Sequence, residues 1–509
     1  MNQNRTWSPV NEAGLSHPAT ASPSWDSGAG LWGILVLSLG LIFVPLFYWS
    51  GLGEAASYSN WTLPVGSRSM EWLAMVLSGS LIAAPWLWIL RTGRFDVVAM
   101  ALAQNGLLMI GYFFLDETIA RQGGIGYDTG RYAGLLLILN AVGFATLLTV
   151  MSAVYLLSSK KKESSLRMPM DERVILLLRL VGLVCAVVLF LPMIQSRTIP
   201  LLAENATQAR YDIIESSWVR PLYHFGSALL PLAVAGMAVW IFRSPRRMFG
   251  WDGIFCFLMI SAQLLTSNRL PLATTLIVTL ALLSMEVRLP RFLVALGFLA
   301  FLGFFTFLSG FTSILREARH EIHPQTVVRD SFEKAFVGDN LIDLRDGSWV
   351  LSKWDFQPLH GKTYLGAVVA FMPSGIFPQK KEWHLGRNAV AIVGWEEREH
   401  FGLRLTFFAE SFLNFGMAGV LGLGAFLGGC FGFLLRKIHE PGPRGQASLA
   451  RNLVLVATMQ MLLPLSNTSD AYMTWSIAAL LLVMAVTIWL PAQRFGGRRI
   501  GVRGLAWRS

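Results

Sequence analysis

The sequence predicts an all-α, polytopic integral membrane protein of about twelve transmembrane helices with one long extracytoplasmic loop. Three observations carry that prediction. Hydrophobic residues make up 54% of the 509 and charged residues only 14%, with a mean hydropathy of +0.51; soluble domains carry about 25% charged residues. The apolar runs are long and unbroken rather than alternating, which selects helices over strands as the spanning element. The basic residues gather in alternate short loops, so the net charge of +11 reads as membrane orientation rather than nucleic-acid binding.

Residues 1–30 are polar and rich in Pro, Ser and Asn, with a single Arg5. They lack the basic start and small-residue cleavage site of a secretory signal and read as a disordered cytoplasmic tail. Apolar windows of about 20 residues then fall near 31–49, 71–90, 97–115, 132–157, 174–194, 225–242, 252–267, 270–286 and 292–314, giving nine spans in 31–314. Three more, near 416–435, 452–466 and 472–490, lie in 411–492, and a basic tail covers 493–509. With the N-terminus inside, the cytoplasmic segments hold 22 Lys/Arg, including Lys160-Lys161-Lys162, Arg243, Arg246, Arg247, Arg436 and Lys437. The short outside loops hold seven: Arg68, Arg121, Arg131, Arg197, Arg210, Arg220 and Arg269. That imbalance puts both termini in the cytoplasm. Cys185, Cys256 and Cys430 all fall inside apolar runs, without disulfide or metal spacing, and read as small packing residues.

The loop over 315–410 is therefore extracytoplasmic. It holds 12 Lys/Arg, 13 Asp/Glu and five of the eight histidines, the highest density of ionisable groups in the chain. Arg329 to Trp354 reads as a partly amphipathic helix, with Phe332, Phe336 and Leu344 able to share a face. Tyr364 to Pro378 is apolar but too short to cross a bilayer, and it runs into Gln379-Lys380-Lys381. It reads as an interfacial or re-entrant piece whose cations meet an anionic headgroup. Glu410 and Asn414 stand one helical turn apart at the mouth of the tenth span and share a face. Gly424, Gly428 and Gly432 recur every four residues and make a stripe that permits close helix contact.

These residues resemble a family. The segment from Met372 to Lys381 is followed by Phe408-Ala-Glu-Ser-Phe-Leu-Asn-Phe-Gly416, which leads into a glycine-rich span. Upstream stand Ile199-Pro-Leu-Leu202, Ala209-Arg-Tyr-Asp212 and Ser267-Asn-Arg-Leu-Pro271. From about residue 170 onward the chain resembles the oligosaccharide repeat-unit polymerases of the Wzy type, which build O-antigen and exopolysaccharide. The resemblance implies a bacterial inner-membrane glycosyltransferase that needs no cofactor. A growing glycan on undecaprenyl diphosphate would pass to a sugar hydroxyl of the next lipid-linked repeat unit. A flippase and a chain-length regulator are the protein partners it implies.

That chemistry asks for cations around the departing diphosphate, for a base to take the hydroxyl proton, and for an apolar flank to admit the polyprenyl chain. Arg269, in a very short outer loop, and Arg210 are the expected catalytic cations, with Tyr211 and Asp212 beside Arg210. The bland readings are headgroup snorkelling for Arg269 and a surface ion pair for Arg210. Lys380, Lys381, Arg387 and Arg404 are further diphosphate contacts, against interface anchoring of the two lysines. Glu410 is the expected base, with Asn414 beside it; a helix-start acid is its plain alternative. His384 and His360 are the other basic candidates, and Asp470 is a candidate sugar contact. No ligand spacing suggests a metal. The competing functions are an O-antigen ligase, a lipid-linked sugar transporter or flippase, and a non-enzymatic assembly factor.

Overall fold

The computed structural model describes residues 83–90, 95–96, 99, 129–157, 171–203, 208–209, 212–213, 220–266, 269–286, 290–317, 327–328, 331, 342–369, 375–394, 403, 405–439, 449 and 452–458. Among them every regular element is helical and none is a strand. In chain order the helices are α1 (Thr129–Leu157), α2 (Asp171–Ser196), α3 (Arg220–Phe242), α4 (Trp251–Leu265), α5 (Arg269–Glu286) and α6 (Arg291–Glu317). After them come α7 (Ile342–Lys353), α8 (Lys362–Val369), α9 (Leu385–Val393) and α10 (Phe407–His439).

Two helical stretches, Val174–Ser196 in α2 and Phe407–Arg436 in α10, are long and apolar enough to cross a membrane by length and composition. The other long helices carry apolar stretches of 10–17 residues. The surface adds to this. Along α2, Leu176, Leu180, Leu183, Val184 and Val187 are exposed on one stripe, and Ile254, Phe257 and Leu258 are exposed on α4. Apolar stripes of this kind are what a hydrocarbon phase would cover. The first three predicted spans, apart from residues 83–90 and 99, and the last one lie outside the described residues.

Large apolar side chains fill the core, and two of its helix–helix seams close through small residues. An added Cβ on Gly424 would meet the Gly143 carbonyl oxygen at 2.5 Å, on Gly428 that of Leu147 at 2.4 Å, and on Gly432 that of Met151 at 2.6 Å. The predicted stripe therefore lies against α1, backbone to backbone, with a matching four-residue step on both helices. Residue numbers rise together along the seam, so α1 and α10 run in the same direction. On the other side, Gly182 faces Ala233 and Gly226 faces Cys185; there the numbers run oppositely, and α2 and α3 are antiparallel.

One ion pair ties α2 to α4. Arg179 donates through Nε at 2.9 Å to Asp252 Oδ1, with Nη2 on the same oxygen. Trp240 Nε1 donates to Asp252 Oδ2 at 3.2 Å. The sequence gives no sign of this pairing, because the partners are far apart in the chain and neither belongs to a motif.

The tenth helix departs from the hydropathy reading. Its apolar window begins at 416, but α10 begins at Phe407 and contains a non-helical residue, Gly416, at φ 63 and ψ −154. The segment 407–415 is a separate short helix ahead of the break. Glu410, Ser411 and Asn414 lower its hydropathy enough to hide it from a window that seeks only apolar residues.

Candidate functional site

The break at Gly416 frees carbonyl groups that an unbroken helix would have paired with its own amides. The preceding loop satisfies them. Leu359 N–H donates to the Leu413 carbonyl at 2.9 Å, and His360 N–H donates to that of Asn414 at 3.0 Å. Next along, Gly361 has φ +80, and a Cβ there would lie 2.8 Å from the Phe415 ring, so the position suits glycine on both counts. This docking delivers α8 to the side of Glu410.

Glu410 and Asn414 are fully buried and Thr363 nearly so. The Thr363 hydroxyl donates to Glu410 Oε1 and accepts from Asn414 Nδ2 at 2.8 Å. Asn414 Nδ2 also reaches the Glu410 carbonyl at 2.9 Å. The result is a directed chain from amide to hydroxyl to carboxylate, with the carboxylate in the first turn of α10, where the helix dipole favours negative charge. The expected sharing of a face by Glu410 and Asn414 is realised. Thr363 was missed, since one threonine before an apolar segment carries no signal of its partner.

Tyr364 follows Thr363 and flanks the carboxylate. Its ring stacks on Phe415 with centroids 6.0 Å apart and meets Phe407 edge-on at 6.4 Å. Burial pushes its hydroxyl well above the ordinary value of 10.0; the charge of Glu410 adds to that and Ser411 opposes it. The raised group keeps its proton in the folded protein after the unfolded tyrosine has lost it. Stability should therefore fall as pH climbs above about 10. The Tyr364→Phe variant should lose less melting temperature between pH 9 and 11 than the wild type, read by tryptophan fluorescence. Equal losses would refute the assignment.

Below this cluster lies an open groove of about 450 Å³, lined by Tyr364, Ser411, Phe415, Ala418, Gly419, Gly422, Leu423 and Phe426. It follows one face of α10 across the break. From Ser411 to Phe426 it extends roughly 22 Å at the helical rise. Only Ser411 and the Tyr364 hydroxyl interrupt its apolar wall, and both are at the Glu410 end.

The other predicted residues fall in three settings. Lys380, with Lys381, belongs to a short 3-10 helix (Pro378–Lys381), His384 caps α9 and Arg387 lies in its first turn. These pieces pack on α8: a Cβ on Gly366 would meet the Trp383 carbonyl oxygen at 2.4 Å, and Trp383 meets Phe377 at 5.1 Å. The predicted interfacial segment is thus divided into an eight-residue helix and a cation-bearing turn on either side of residues outside the description. Arg269 opens α5, which packs on α3, α4 and α6, whereas α10 packs on α1. Exposed His360 holds the break by its backbone.

Arg210, Tyr211, Arg404 and Asp470 lie outside the described residues, as do Phe332 and Phe336. The neighbours of Arg210 line a cleft of about 390 Å³ with Ser196, Thr198 and Ala203. There Gln208 Nε2 donates to Asp212 Oδ1 at 2.7 Å, so Asp212 has a partner other than Arg210. Among the described residues no group of three His, Cys, Asp or Glu side chains could hold a metal ion.

No protein-family model matches this chain, no curated protein matches it, and no solved structure matches it.

Proposed function

We propose that this chain is a twelve-span polymerase of lipid-linked oligosaccharide repeat units, working at the outer face of the bacterial cytoplasmic membrane. The observation that carries the reading is the buried Glu410–Thr363–Asn414 chain, whose sequence neighbours Tyr364 and Ser411 form the one polar end of a long apolar groove. A substrate with a polyprenyl tail and a sugar head has the same polarity along its length. The reaction forms a bond from an acceptor hydroxyl oxygen to the anomeric carbon of the donor and breaks the bond from that carbon to the diphosphate. Undecaprenyl diphosphate leaves with the electron pair. Glu410 takes the hydroxyl proton, relayed through the Thr363 hydroxyl that already points at it. Arg210, Arg269 and the cations of the 380–387 turn balance the charge on the leaving diphosphate.

The parallel course of α1 and α10 supports the topology, since both are even-numbered spans in an alternating scheme. A second reading, a lipid-linked sugar transporter, draws on the broken α10 with its buried carboxylate, a form of site common in transporters. Gene deletion in the producing cell separates the functions. Loss of a polymerase leaves single repeat units on the surface. Loss of a ligase leaves long chains on the lipid carrier and none on the surface, and loss of a transporter leaves repeat units on the inner leaflet. Either of the last two results would reject the polymerase.

A further inference from the structure

We propose that the turn between α3 and α4 is a binding site for the headgroup of an anionic phospholipid. It rests on reading those two helices as spans and makes no use of the polymerase chemistry. The turn is a short 3-10 helix, Pro245–Phe249, folded back tightly. A Cβ on Gly253 would lie 1.8 Å from the Met248 carbonyl oxygen, so the backbones touch and the segment has little freedom to rearrange.

The turn fixes a cation in place. The Arg247 guanidinium lies 3.5 Å from the centroid of the Trp240 ring, and its Nη1 donates to the Trp240 carbonyl at 3.0 Å. One edge of its donor fork is thereby committed, and the rest remains for a phosphate. The nearby carboxylate does not compete. Asp252 takes both Arg179 donors on one oxygen and the Trp240 indole on the other. Arg246 is exposed beside Arg247, and among the described residues neither forms an ion pair with a carboxylate.

Apolar side chains complete the surface. Phe249 is 91% exposed and Trp251 74%, next to the two arginines and at the ends of two apolar helices. Aromatic rings beside arginines that no described carboxylate neutralises, at a helix end, match the boundary of a bilayer, where rings enter the acyl region and arginines meet phosphate. A neutral headgroup offers no net charge to those cations. The occupant is therefore an anionic phospholipid such as phosphatidylglycerol.

The test uses the full-length protein in an uncharged detergent, with melting temperature followed as phosphatidylglycerol, phosphatidylcholine or inorganic phosphate is added. Phosphatidylglycerol should raise the melting temperature, and the other two should leave it unchanged. The Arg246→Gln/Arg247→Gln double variant should lose at least half of the shift. If that variant does not fold, Arg246→Gln alone, at an exposed position, should reduce it.

Equal shifts with both lipids would overturn the proposal, as would a full shift in the variants. A shift with inorganic phosphate alone would mean a soluble-anion site. A concentration-dependent dimer that the variants dissolve, with no lipid response, would assign the patch to a second copy of the chain. The assay requires no polymer, so a negative result here and a negative result for polymerisation are independent.

Discussion

Replacing Glu410 with glutamine should abolish polymer while leaving a folded protein. Glutamine keeps the size of the side chain and an oxygen for the Thr363 hydroxyl, but it cannot take a proton. If the carboxylate is the base, the rate should fall by about 10²–10⁴, the usual contribution of general-base catalysis. Alanine is a poorer probe, because it removes the buried acceptor of Thr363 and adds a desolvation cost of about 1–3 kcal/mol. The experiment is complementation of a deletion strain with the Glu410→Gln gene at matched protein level, read as surface chain length. Wild-type chains would eliminate Glu410 as the base. Single repeat units from a protein that melts like the wild type would support it.

The second large effect is structural. Gly428→Ala should destabilise the protein by about 1–3 kcal/mol, the usual cost of overpacking a well-packed contact. The added methyl would lie 2.4 Å from the Leu147 carbonyl oxygen and 3.0 Å from the Val150 Cβ. The first obstacle is backbone, so no side-chain rotation relieves it and α1 must move away from α10. In the proposed membrane setting helices gain little from apolar burial and depend on close packing, so the separated pair has no compensating attraction. The strain should reach the site, because Phe408 lies against Gly143 on the same seam.

Gly429→Ala is the control. A Cβ there meets nothing within 4 Å, and alanine is the better helix former by about 1 kcal/mol. It should melt at or above the wild-type temperature. Similar melting temperatures for the two variants would contradict the close seam between the helices.

Particular elements show how far the chain could be read without coordinates. Hydropathy windows at 252–267, 270–286 and 292–314 correspond to α4, α5 and α6 at Trp251–Leu265, Arg269–Glu286 and Arg291–Glu317. The spacing of Gly424, Gly428 and Gly432 announced a close helix contact but not its partner. The four-residue step between Glu410 and Asn414 put them on one face, and Thr363, which joins their side chains, was invisible.

Helix position and length follow from local composition, because an apolar run must satisfy its backbone within itself and periodicity along a few turns records which face is buried. The joining of Thr363 to Glu410, the capture of the broken α10 by Leu359 and His360, and the Arg179–Asp252 pair depend on segments distant in the chain. No run of neighbouring residues encodes such contacts. They arise when packing brings distant segments together: at the break Thr363 and Glu410 are buried side by side, and each supplies the hydrogen-bond partner that burial denies the other.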